Sequence, residues 1–125
     1  MIDRERIIKN YVEGYNQFDI DKMTTDFSRD IVFENIQNGE VNMTLNGLNE
    51  FKEQAENAKA YFSARSQVIT VLNHFESKTE IEIDYHAVLA MDFPNGMKAG
   101  EELNLKGKSV FEFLDNKILK LSDIS

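Results

Sequence analysis

The chain has 125 residues, 42% of them apolar, which is the size of one domain and enough to bury a core without disulfide or metal support. It contains no cysteine, so a disulfide framework, thiolate catalysis and cysteine-bound zinc or iron–sulfur clusters are excluded. A net charge of −8, from 22 acidic against 14 basic residues, works against nucleic-acid backbones and anionic membrane surfaces, which require clustered lysine and arginine.

In chain order, the N-terminal segment MIDRERIIKN reaches charged residues at once, and no window is long and apolar enough to cross a bilayer; a cytoplasmic location is the default expectation. Ile7, Ile8, Tyr11, Val12, Tyr15 and Phe18 recur at helical spacing behind Asp3, a residue type that caps helices, and predict a first helix. Asp19 reads as the cap of a short second helix that turns Met23 and Phe27 inward and ends before SRD. Strand character follows in IVFENI, turns at QNGE and returns through VNMTLN. After Gly47, a third helix carries Leu48, Phe51, Ala55, Ala58 and Phe62 on one side.

From about Ala64 onward the hydrophobic period is that of strands. SQVITVLNHF and TEIEIDYHAVLAM are joined by the polar link ESK, PNG marks a loop, and LKGKSVFEFL turns at DN into KILKLSDI. Helix, helix, hairpin, helix and then four long antiparallel strands is the segregated α+β pattern. No linker, low-complexity tract or internal repeat interrupts it, so residues 1–125 are expected to form one domain.

Strand alternation singles out several polar side chains. Asn35 shares a face with Ile31 and Phe33, an unusual place for an amide. Asp123 shares a face with Leu119 and Leu121, where burial would disfavour its charged form and raise its pKa. Thr79, Ile81, Ile83, Tyr85, Ala87, Leu89 and Met91 form one face of their strand, with Glu80, Glu82, Asp84 and His86 on the other. His74 and His86 have no partner ligand at helical or hairpin spacing, so no metal site is expected. KGKS at 106–109 is not a phosphate loop, because Glu102 stands where the motif needs its first glycine. Dinucleotide and serine-nucleophile motifs are also missing, leaving cofactor-free chemistry or plain binding.

The phrases YVEGYNQFDIDKMTTDFSRDIVFEN and KAGEELNLKGKSVFEFLDNKILKLSDIS, in this order and spacing, resemble the opening helix pair and closing hairpin of the SnoaL-like group. That group belongs to the nuclear-transport-factor-2-like superfamily, with the ketosteroid isomerases. The resemblance covers nearly the whole chain. It implies a curved antiparallel sheet wrapped around three helices, forming a cone with an internal ligand pocket, and a homodimer formed through the outer sheet face. This fold hosts isomerases, cyclases, dehydratases, carriers and subunits without catalysis, so it does not fix the function.

Carried over position by position, the isomerase's oxyanion tyrosine falls on Tyr11, which is present. Its general base falls on Asn35 and its second oxyanion donor on Ser109. An amide cannot abstract a proton as a carboxylate does, which disfavours a ketosteroid isomerase. The SnoaL-like ending, in which an aspartate follows the last hydrophobic pair into the cone, matches Asp123.

The leading expectation is a protein that binds a small apolar or carbonyl-containing molecule in a pocket lined by Tyr11, Tyr15, Phe33, Asn35, Ile83, Tyr85, Ser109, Phe111, Leu121 and Asp123. A catalytic alternative makes Asp123 the proton shuttle, with Tyr11 and Asn35 stabilising an enolate-like oxygen during isomerisation, aldol cyclisation or dehydration. A third alternative is a non-catalytic, dimerising interaction module.

Overall fold

The structure, a computed structural model, describes residues 3–125. Helix α1 spans Arg4–Asn16, and the Asp3 side chain accepts the Arg6 backbone N–H at 3.0 Å, satisfying one of the donors left free at a helix start. Ile7, Ile8, Tyr11 and Val12 are its buried stripe. Gly14 allows the short helix α2 (Ile20–Met23) to lie directly against α1, since a Cβ at this position would come within 2.6 Å of the Met23 backbone nitrogen.

Phe18 differs from the expectation. It falls beyond the end of α1 with φ of 58°, a left-handed conformation costly for a bulky residue, instead of extending the helical stripe. The chain then becomes extended earlier than predicted. Strand β1 runs from Phe27 to Gln37, so SRD is strand and Phe27 opens it, entering the core from the sheet. Strand β2 (Glu40–Asn46) returns from the turn at Asn38 and Gly39, and α3 (Leu48–Ala58) places Phe51 in the core. Phe62 lies past α3 at the start of β3 (Phe62–His74). The remaining strands are β4 (Lys78–Leu89), β5 (Glu102–Leu114) and β6 (Lys117–Ile124). Met91 lies outside β4 and is exposed, so the inward face of that strand stops at Leu89.

The six strands form one curved, unclosed sheet in the order β2-β1-β6-β5-β4-β3. Four of the ladders are antiparallel, as expected of consecutive hairpin partners. The ladder between β1 and β6 is parallel, so the sheet is mixed. Register shifts at Asn35/Ile36, Ile69/Val71 and Glu112/Phe113 insert residues that bend strands and increase their twist.

The last of these shifts changes which residues of β6 face inward. Ile118, and not Leu119, enters the core, because it pairs with Phe113 before the shift while Lys120 pairs with Glu112 after it. The concave face packs on α1, α2 and α3 around Ile8, Ile31, Ile81, Phe111, Ile118 and Leu121. Among the described residues no helix is long and apolar enough to cross a membrane.

Candidate functional site

Register alone brings three of the singled-out polar side chains into a line. Asn35 of β1 is opposite Asp123 of β6, which is opposite Ser109 of β5, so all three point to the concave face. Ser109 Oγ donates to Asp123 Oδ1 at 2.7 Å. Asn35 Nδ2 donates to Asn42 Oδ1 at 2.8 Å, which leaves its carbonyl oxygen and second N–H available. Above this row α1 brings Tyr11 and Tyr15, one turn apart; the Tyr15 hydroxyl is 2.8 Å from that of Tyr85 on β4.

The space between helices and sheet has two lobes. One, of about 220 Å³, is bordered by Tyr11, Tyr15, Phe33, Asn35 and Asp123 together with Met43, Leu45, Phe51 and Arg65. The other, of about 190 Å³, is bordered by Tyr15, Asn35, Ile83, Tyr85, Ser109 and Asp123 together with Gln67 and Leu105. Tyr15, Asn35 and Asp123 border both.

Eight of the ten residues expected to line a pocket therefore gather around these lobes. Phe111 and Leu121 do not. Both have zero exposure and lie one layer deeper, where Phe111 meets the ring of Tyr11 edge-on at 5.6 Å. Their parity is inward, but both are enclosed in the core cluster that Tyr11 of α1 joins.

The electrostatics of the site follow from burial. Loss of hydration raises the Asp123 carboxyl to about 6, partly opposed by the hydrogen bond from Ser109, which favours the charged form. The residue as a whole is half-buried and borders both lobes. Burial also pushes the Tyr11 hydroxyl well above its ordinary value; the charge of Asp123 pushes it further and that of Arg65 opposes it. Tyr85 is raised by burial, with its bond to Tyr15 and the charge of Arg65 acting the other way. Both phenols thus remain hydrogen-bond donors at neutral pH, next to a carboxyl group able to gain or lose a proton there.

Two polar residues of the site were not foreseen. Arg65 and Gln67 on β3 are both buried and border different lobes. The signal was present in the alternation: Ile69 faces inward, and the same parity carries back to Gln67 and Arg65. The Asn16 side chain fixes this stretch by bonding the Gln67 backbone, accepting from its N–H at 2.7 Å and donating to its carbonyl at 3.1 Å.

The two histidines lie away from the lobes. His74 Nδ1 is 2.8 Å from Thr79 Oγ1, and His86 faces Glu102 on the outer side of the sheet. Among the described residues no group of three histidine, cysteine or acidic side chains is arranged to hold a metal. The outer face itself carries ion pairs, Lys106 with Asp84, Lys108 with Glu80 and Lys120 with Glu34. A dimer formed there, as the resemblance implies, would have to cover these charges.

No family model matches the sequence, and no curated protein matches it. Solved structures do match along almost the full chain. A candidate polyketide cyclase from Xanthomonas campestris is 18% identical with a TM-score of 0.83, covering 97% of this chain and 88% of that one. A protein of unknown function from Burkholderia pseudomallei, described as NTF2-like, is 11% identical with a TM-score of 0.77 over 95% and 87% of the two chains. The chain has the nuclear-transport-factor-2-like fold. A further protein with this type of cone, a hypothetical protein with a ketosteroid isomerase-like fold from Catenulispora acidiphila, was solved with trimethylamine. It is 13% identical with a TM-score of 0.76, over 94% of this chain and 82% of that one. At such identities the nuclear-transport-factor-2-like likeness establishes architecture, and activity has to be argued from the side chains of this cone.

Proposed function

We propose that this chain binds a small, mostly apolar carbonyl compound in the two-lobed cavity and that Asp123 exchanges a proton with it. The observation that carries the reading is the position of Asp123, a partly buried carboxyl raised to about 6 that borders both lobes. A general acid–base group is most effective when its pKa lies near the working pH. The likeness to a candidate polyketide cyclase and to a protein of ketosteroid isomerase-like fold solved with trimethylamine fits small-molecule binding.

In this reading the Asp123 carboxylate removes a proton from the carbon next to the carbonyl. The electron pair moves onto the carbonyl oxygen, and the resulting enolate is held by hydrogen bonds from Tyr11 and the free N–H of Asn35. The protonated Asp123 then returns the proton to another carbon of the enolate system (isomerisation), to the alkoxide formed when the enolate carbon bonds to a second carbonyl carbon of the ligand (aldol cyclisation), or to a hydroxyl that departs as water (dehydration), according to the ligand. Asn35 acts as a donor in this scheme, because its amide has no basic site near neutral pH.

Deuterium exchange next to the carbonyl of cavity-bound aryl ketones, followed by NMR in heavy water, tests the reading. The wild-type protein should accelerate exchange, and Asp123→Asn should reduce the rate on the order of 10² while leaving ketone affinity similar. Equal exchange by the two proteins would remove Asp123 from the chemistry and reduce the site to a binding cavity.

A further inference from the structure

The guanidinium of Arg65 is a buried cation without an anion. Only 6% of the residue is exposed. Nε donates to the Tyr15 carbonyl at 2.9 Å, while Nη2 is buried with no hydrogen-bond partner. None of the ion pairs among the described residues includes it. The group lies over two aromatic rings, with Cζ 3.8 Å from the centre of Tyr15 and 4.4 Å from that of Phe18. Phe18 takes this place from its left-handed backbone conformation, so the chain accepts local strain at the residue that completes the stack.

Stacking and one carbonyl leave most of the donors of a guanidinium unused, and a buried charge without a counter-charge is costly unless something pairs with it. Arg65 borders the lobe that also holds Tyr11 and Asp123. Asp123 does not fill the role, since no ion pair among the described residues joins it to Arg65.

We propose that the ligand of this lobe carries a carboxylate that pairs with Arg65. A planar carboxylate matches the fork of a guanidinium, and one negative charge balances the one cation. A phosphate would bring a second charge into a lobe that is otherwise mostly apolar and that already contains Asp123. The ligand class is then an aromatic or aliphatic acid whose carboxylate docks on Arg65 and whose body extends past Tyr11 toward Asp123. This inference rests on the reading of the lobes as a ligand cavity, and the test separates the two.

The probes are 2-naphthoate and its neutral counterpart 2-naphthamide, titrated into the protein by calorimetry at about pH 5.5, where the probe acid is ionised. The acid should bind about 10-fold or more tightly than the amide. In Arg65→Gln the two affinities should become similar, and Arg65→Lys should restore part of the preference. An amide that binds the wild-type protein as well as the acid overturns the carboxylate proposal and leaves the cavity reading standing. Binding of neither probe removes both. A preference for the acid that persists in Arg65→Gln overturns the assignment to Arg65. The wild-type comparison decides between acid and amide even if the variants fail to fold.

Discussion

Two neighbouring rows of the concave sheet face are built on the same three strands, two residues apart. Phe33, Leu121 and Phe111 form one; Asn35, Asp123 and Ser109 form the other. In the first row Leu121 and Phe111 are fully buried, and Phe111 supports the ring of Tyr11. In the second, each side chain is polar and each borders a lobe of the cavity. Backbone geometry is continuous from one row to the next, so the difference comes from what lies above. In the first row Phe111 packs under Tyr11 of α1, and Phe33 packs on Phe51 of α3 and reaches the edge of one lobe, while beside the second row Tyr15 and Tyr85 bridge helix and sheet through their hydroxyls. One surface of the sheet thus forms both core and cavity wall, because its inward face is not buried evenly along its length.

The comparison can be broken most severely from the apolar row. Phe111→Ala should cost about 3–5 kcal/mol in urea unfolding, the usual range for removing a buried aromatic side chain. Asp123 should keep its raised pKa in the folded fraction, because its hydration is set by the neighbouring row. A loss below about 1 kcal/mol would mean that the first row is not core.

The polar row should behave in the opposite sense. Asp123 titrates near 3.8 when unfolded and about 6 when folded, so between these values the native state holds the extra proton. Its contribution to stability therefore falls as pH rises through that interval and levels off above about 6. Asp123→Asn removes this slope and should stabilise the protein by on the order of 2–3 kcal/mol at about pH 8, with little difference below about pH 4. Chemical denaturation of both proteins across that range checks the sign.

Smaller effects sharpen the boundary between the rows. Tyr85→Phe leaves the Tyr15 hydroxyl without its partner and should cost about 1 kcal/mol. Ser109→Ala removes the hydrogen bond that favours the charged form of Asp123, so the Asp123 titration should move further up while stability changes little. A downward move would mean that Ser109 is not the group holding the carboxylate.

Much of this architecture was legible in the alternation of residues. The polarity of Asn35 and Asp123 against apolar neighbours marks the second row in the sequence itself, because a side-chain period of two is rigid along a regular strand. Where the period is interrupted, legibility fails. The register shift beside Phe113 put Ile118 in the core in place of Leu119, and no local sequence signal distinguishes the two.

The expected lining by Phe111 and Leu121 failed for a different reason. Parity says which face a side chain takes, while the depth of a helix above it depends on packing between distant segments. Arg65 and Gln67 were readable in principle, by extending the parity of Ile69 backwards, yet a charged residue at an inward position is easily assigned to a strand end or an outer face. The parallel pairing of β1 with β6 joins segments from opposite ends of the chain and has no short-range signature.

The most direct test of the site is the pKa of Asp123, read from its side-chain carboxyl carbon by NMR titration and assigned with Asp123→Asn. A value near 6 is predicted and would establish a proton-exchanging acid on the wall of both lobes. A value near 3.8 or below would show a hydrated or fully hydrogen-bonded carboxylate and would contradict the acid–base role proposed for it.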